Sequence, residues 1–247
     1  DEEIWRFIND NEMDWMFDNG WIRHVTPEGE PKEGVSPDYW TKPNVLVLVP
    51  AGFGKTTVVS TRVLPVMELC DNPNARMQYI GKNETEAFSF STNIRQELQN
   101  PKLVATFGEF RPADRNIPWT NQAFSVQQRQ YRDVRENAEF FGTNSHAALG
   151  KRSDRVLIDD VETPDTANTL DTRQKLLHWM RIGPLTSARP IWNKDKHGDV
   201  MIPKRLQWSH TARYWGTGIV GTIFHPEALY AMVMKDPTFT CVKFDCF

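Results

Sequence analysis

Apolar residues along this chain follow two patterns: short runs that stay apolar at nearly every position, and longer stretches where they recur every three or four residues. The first pattern marks strands buried on both faces of a parallel sheet, the second amphipathic helices. Asn44–Val49 (NVLVLV) and Val156–Asp160 (VLIDD) are the clearest runs. Arg76–Gly81, residues 122–127, residues 138–143 and Gly218–Thr222 are further predicted strands. Helices are predicted over residues 2–18, from about Thr56 to Cys70, and from an N-cap at Asn83 to Gln99, ahead of Pro101. Two more are predicted from near Asn168 to about Ile182, and from Pro226, a residue suited to a first helical position. Gly20–Pro43 is punctuated by Gly and Pro and predicts a loop. Ala188–Ser209 predicts a hairpin turning near Lys196-His197-Gly198-Asp199. Strands alternating with helices argue for one α/β domain with a mainly parallel central sheet flanked by helices.

Composition narrows the class. At 247 residues, with 39% hydrophobic and 25% charged, the chain can bury a full core, which excludes disorder over most of its length. No apolar run approaches the roughly 18–20 residues of a membrane span, so a soluble protein with no membrane partner is expected. Asp1-Glu2-Glu3 is acidic where a secretory leader would be basic, and the missing Met suggests a trimmed fragment. Cys70, Cys241 and Cys246 form no CxxC pair, which favours a reducing cytoplasm over a disulfide framework or a zinc site. Charge is uneven. Residues 1–38 hold eleven acidic and three basic groups in a chain of net charge −3, and residues 181–215 hold seven basic and two acidic. That basic segment interleaves Lys194, Lys196, Lys204, Arg205 and Arg213 with Trp192, Trp208 and Trp215. It suits either contacts to nucleic-acid phosphates or a charged, exposed hairpin edge.

The sharpest chemical signal is Pro50-Ala51-Gly52-Phe53-Gly54-Lys55-Thr56-Thr57, placed directly between a buried strand and a helix. A nucleoside triphosphate needs backbone N–H groups converging on its phosphates, and a helix N-terminus supplies them. Lys55 is then the residue for the β- and γ-phosphates and the Thr56 hydroxyl a ligand of Mg²⁺. Val49 stands where the pattern G-x-x-x-x-G-K-[ST] has its first glycine.

About a hundred residues later, Asp159, Asp160 and Glu162 follow the Val156-Leu157-Ile158 run. ATP hydrolysis needs one carboxylate on the metal side and a second to polarise the attacking water. Asp159 fits the first role. Asp160 and Glu162 are both candidates for the second, with Asp160 favoured by position.

Further motifs appear in a fixed order: Tyr79-Ile80-Gly81-Lys82-Asn83; Asn93-Ile94-Arg95 through Leu98; Asn100-Pro101-Lys102-Leu103 and Phe107-Gly108; Phe141-Gly142-Thr143; Gly150-Lys151-Arg152-Ser153-Asp154; and Val220-Gly221-Thr222-Ile223-Phe224-His225 with Leu229-Tyr230. Together with the phosphate turn and the acids, they resemble the large terminase subunit of tailed bacteriophages, the ATP-driven DNA-packaging motor, over residues 44–230. The resemblance implies a P-loop ATPase of the additional-strand (ASCE, RecA-like) type, using ATP and Mg²⁺. It also implies a ring of identical subunits, double-stranded DNA as cargo, and the portal protein and small terminase subunit as partners. The location implied is the host cytoplasm, at the portal vertex of the procapsid. Arg152 is the candidate for an arginine acting on a neighbouring subunit's γ-phosphate, with Lys151 and Arg155 behind it. Thr222 is the candidate coupling residue. His225 is expected to cap or pack rather than bind metal. Tyr39 or Trp40 are candidates to stack on adenine.

The expected organisation is a single ATPase domain, residues 1–247. It comprises an N-terminal helix and acidic loop (1–43), a nucleotide-binding core (44–183), a basic hairpin insertion (184–216), and the third-motif strand with the rest of the core (217–247). Family members add a C-terminal nuclease, which is expected to be absent here. Three other readings compete. A helicase-type translocase needs further nucleic-acid motifs, and a small-substrate kinase ordinarily lacks the strand-end acids. A nucleotide-binding ring scaffold with weak or no hydrolysis is the third.

Overall fold

The computed structural model describes residues 44–50, 52, 54–56, 64–130, 136–143, 145–151, 153–187, 193–194, 200–201, 216–236 and 239–244. The predicted helix over 2–18, the acidic loop, Tyr39 and Trp40 lie outside them. So do Ala51, Phe53, Thr57, Arg152, and most of the basic segment.

Seven strands form one sheet. Among the described residues the nine strands, in chain order, are β1 (Asn44–Leu48), β2 (Met77–Gly81), β3 (Ala123–Phe124), β4 (Ala138–Gly142), β5 (Arg155–Asp159), β6 (Asn193–Lys194), β7 (Val200–Met201), β8 (Thr217–Gly221) and β9 (Phe239–Lys243). The sheet order is β3-β4-β2-β5-β8-β1-β9, and every pair is parallel except β3 with β4. The helices are α1 (Leu64–Asp71), α2 (Glu84–Leu98), α3 (Pro101–Phe107), α4 (Pro164–Asn168), α5 (Leu170–Ile182), α6 (Pro184–Ser187) and α7 (Leu229–Val233). β6 and β7 pair antiparallel apart from the sheet, as a hairpin over Ala188–Ser209 requires.

Both faces of the sheet are covered, which is why its strands read as unbroken apolar runs. Val47, Met77, Tyr79, Leu157 and Val220 face one core with Leu69, Phe90 and Ile94 of α1 and α2. Their strand neighbours Leu46, Ile80, Ile158 and Ile219 face the other, with Leu176 and Met180 of α5 and Leu229 and Tyr230 of α7. Each such buried side chain contributes about 1.5–3 kcal/mol relative to exposure. Toward the β3 edge, stacked rings bridge the strands: Tyr79 on Phe140 at 4.8 Å and Phe124 on Phe140 at 5.8 Å.

The α2 N-terminus follows its sequence. The Asn83 side chain accepts from the Glu86 N–H at 2.9 Å. A Cβ on Gly142 would stand 2.6 Å from the Glu84 nitrogen, so the Phe141-Gly142-Thr143 motif is the place where β4 lets α2 approach.

Several elements differ from expectation. The strand expected over 122–127 shrinks to Ala123–Phe124 at the antiparallel edge. Pro101 ends one helix and opens another, α3, because Asn100 caps it by accepting from Lys102 N–H. The helix expected from near Asn168 to about Ile182 is α5, and α4, a short helix ahead of it, had no sequence prediction. Thr163 and Thr169 each adopt extended backbone and form a capping box with the threonine three residues on. The helix expected at Pro226 starts at Leu229, because the Ala228 N–H closes a turn on the His225 carbonyl. Strand β9 had no sequence prediction. Among the described residues no helix is long and apolar enough to cross a membrane.

Candidate phosphate-binding and acidic site

Parallel strands end together, and the crevice beyond their carboxyl ends is where open α/β sheets bind ligands. Strand β8 lies between β1 and β5, so the strand carrying the phosphate turn and the strand carrying the acids are separated by the strand that leads into Thr222. Val49 N–H donates to the Gly221 carbonyl at 3.1 Å, extending the β1–β8 pairing to the mouth of the turn.

The turn itself relies on two glycines. Gly52 and Gly54 have φ of +88° and +70°. A Cβ at either would meet nothing within 4 Å, so the backbone angle and not crowding selects glycine. Gly54 hands the chain to Lys55, where helical backbone begins.

Lys55 is 7% exposed. Its ammonium donates to Thr222 Oγ1 at 3.1 Å and pairs with Asp160 Oδ2 at 2.9 Å. Thr222 in turn donates from Oγ1 to the Val49 carbonyl at 3.0 Å. Thr222 thus links the two strands to the lysine. Thr56, half-buried, is the next residue.

Asp159 ends β5 and is buried. Asp160 has φ of +49°, the one positive value among the described non-glycine residues. Aspartate tolerates this region better than most side chains, and an outlier of this kind beside a cation is a functional signal. Its N–H is held by the Val220 carbonyl at 2.9 Å. The pairing with Lys55 separates the two candidate water-polarising acids by environment.

Glu162 sits elsewhere. It is buried, and its two carboxylate oxygens accept from Phe224 N–H at 3.1 Å and Tyr230 N–H at 3.0 Å. Its own N–H donates to the Tyr230 hydroxyl at 3.2 Å. Burial pushes the Glu162 carboxyl above its ordinary value, against the lowering effect of the Tyr230, Phe224 and Leu229 N–H groups and of His225. A raised folded value means that the unfolded chain releases this proton first as pH climbs. The contribution to stability is therefore full below the ordinary value of 4.5 and is lost as pH rises through the folded value. Glu162→Gln is expected to flatten that part of the stability profile, measured as the urea midpoint at stepped pH. An unchanged slope sinks the assignment.

The candidate partners of a neighbouring subunit separate too. Arg155 opens β5, roughly 13 Å of strand away from Asp159 at about 3.3 Å per residue. It is fully buried against Glu68 at 3.3 Å, which fits a structural role in place of the expected one. Lys151 pairs with Glu139 and lies over the Phe141 ring at 4.7 Å. Arg152 lies outside the described residues. His225 accepts from Glu227 N–H through Nδ1 at 3.0 Å, a local turn ahead of α7, whose Ala228 N-cap receives no side-chain hydrogen bond.

No protein-family model matches the chain, and no curated protein matches it. The sequence marks Tyr230 only as part of a motif; in the fold a Cβ on Gly221 would fall 2.3 Å from its ring.

Proposed function

We propose that this chain is the ATP-hydrolysing motor domain of a large terminase of tailed phages, driving double-stranded DNA into a procapsid. The observation that carries the reading is the insertion of β8 between β1 and β5, which sets Thr222 and Asp160 on the Lys55 ammonium. In this reading the domain is a P-loop ATPase of the additional-strand type. Pro50–Thr57 wraps the phosphates, Lys55 meets the β- and γ-phosphates, and Asp160 polarises water. Thr56 and Asp159 would hold Mg²⁺, which supplies charge neutralisation on the phosphates. Among the described residues no three His, Cys, Asp or Glu side chains cluster as a metal cage. Two protein ligands suit Mg²⁺, which ordinarily takes one or two carboxylates and completes its shell with phosphates and water. A ring of identical subunits, the portal and the small terminase subunit are the proposed partners, with Arg152 reaching into a neighbour's site.

Steady-state ATP hydrolysis against protein concentration, with and without linear duplex DNA, tests this. Specific activity is expected to rise with concentration. Arg152→Ala is expected to lower it by on the order of 10³ or more, as for arginine fingers in GTPases. A flat rate that ignores Arg152 removes the proposed contact between subunits. Bound ATP without hydrolysis at any concentration favours a ring scaffold.

A further inference from the structure

The exit of the acidic strand and the segment after Thr222 are tied together more heavily than chain continuity requires. Asp160 N–H bonds the Val220 carbonyl, Glu162 N–H bonds the Tyr230 hydroxyl, and the Glu162 carboxylate receives the N–H groups of Phe224 and Tyr230. The Tyr230 ring lies on Gly221, so close that no side chain fits there. Tyr230 is fully buried, and burial holds its hydroxyl well above its ordinary range, so it stays a neutral phenol.

We infer that Glu162 is a positioning residue, clamping the Asp160 turn to the 222–230 segment so that Asp160 and Thr222 meet Lys55 from fixed sides. A direct role on water fits poorly with a residue that is 1% exposed and whose carboxylate receives a backbone N–H on each oxygen. Asp160 and Glu162 are two residues apart on one hydrogen-bonded turn, so a shift of Asp160 away from Lys55 pulls on Phe224 and Tyr230 through Glu162. The clamp therefore also relays the state of the phosphate turn to α7. The inference rests on the ATPase reading for its kinetic arm only.

The wild-type chain, Glu162→Gln, Tyr230→Phe and the double variant separate the possibilities. Each single variant is expected to lower kcat by about 3- to 30-fold, the usual size of coupling through a packed network. The KM for ATP should stay within about twofold, and the double variant should lose little more than the worse single one, because both cut the same link. Loss of turnover by about 10²–10⁴ in Glu162→Gln with Tyr230→Phe unaffected would make Glu162 the acid–base group itself and overturn the inference. Unchanged kcat in both single variants overturns it as well. A second arm needs no turnover: amide hydrogen exchange at Phe224 and Tyr230. Lys55→Ala, which removes the partner of Asp160, is expected to speed exchange there by about tenfold in an otherwise wild-type chain, and to add nothing once Glu162→Gln is present. Equal exchange in Lys55→Ala and wild type overturns the relay. A wild type that neither binds nor hydrolyses ATP defeats the ATPase reading, and the exchange arm still decides the clamp.

Discussion

Replacing Lys55 with alanine is expected to remove ATP binding from the usable concentration range while leaving the fold intact. Lys55 is 7% exposed, and its ammonium is the one described cation paired with Asp160. In the proposed complex it trades that carboxylate for phosphate oxygens. Truncating one partner of a desolvated, hydrogen-bonded charge pair costs about 2–5 kcal/mol, or on the order of 30- to several-thousand-fold in affinity. Here the loss should lie at the upper end, because the remaining Asp160 carboxylate would face the phosphates with no intervening cation. Global stability should move little, because the Asp160 side chain is 32% exposed and water can replace the lysine. Lys55→Arg is not expected to rescue binding. A planar fork on a site shaped for a point charge between Asp160 and Thr222 cannot repeat both contacts. Titration calorimetry with ATP and Mg²⁺, set beside thermal unfolding, checks both halves. Wild-type affinity in Lys55→Ala sinks the site assignment.

How far the chain could be read in advance depended on where the information was local. The core strands were legible because burial on both faces forces unbroken apolar runs, and β1, β2, β5 and β8 fall within a residue of their predicted ends. The α2 cap was legible because Asn83 caps through its own side chain. Strand β9 was not. It follows α7 closely, and its register with β1 is set by a partner nearly two hundred residues earlier. The start of α5 near Asn168 was legible, but α4 before it was not, because five residues are too few to show a helical repeat. At the site, Gly54-Lys55 and the acids were visible as a motif. The choice between Asp160 and Glu162 was not, because spacing says nothing of which carboxylate a distant loop will occupy. Phe224 and Tyr230, more than sixty residues on, take both oxygens of Glu162. Arg155 was ambiguous for the same reason, since only the fold reveals Glu68 as its buried partner.

The Asp160→Asn variant is expected to bind ATP and not turn it over. Asparagine has nearly the same shape and accepts positive φ as readily, so the turn at +49° is retained without new strain. The backbone bond to Val220 is untouched, and the side-chain oxygen can still accept from Lys55. What disappears is the negative charge and the basicity. If Asp160 polarises the attacking water, kcat should fall by about 10²–10⁴, the usual worth of a positioned acid–base group. Affinity should hold or improve, because Lys55 no longer leaves an ionic partner when it turns to phosphate. That combination, tighter or equal binding with slow turnover, distinguishes a reacting group from a structural one. Damage to the fold would weaken both together. It also separates Asp160 from Glu162, whose replacement is expected to cost only the smaller factor of a positioning residue. Single-turnover hydrolysis alongside equilibrium binding of a fluorescent ATP analogue measures the two quantities in one preparation. Near-normal turnover in Asp160→Asn would move the water-polarising role away from the acid that Lys55 holds, and with it the case for hydrolysis at this site.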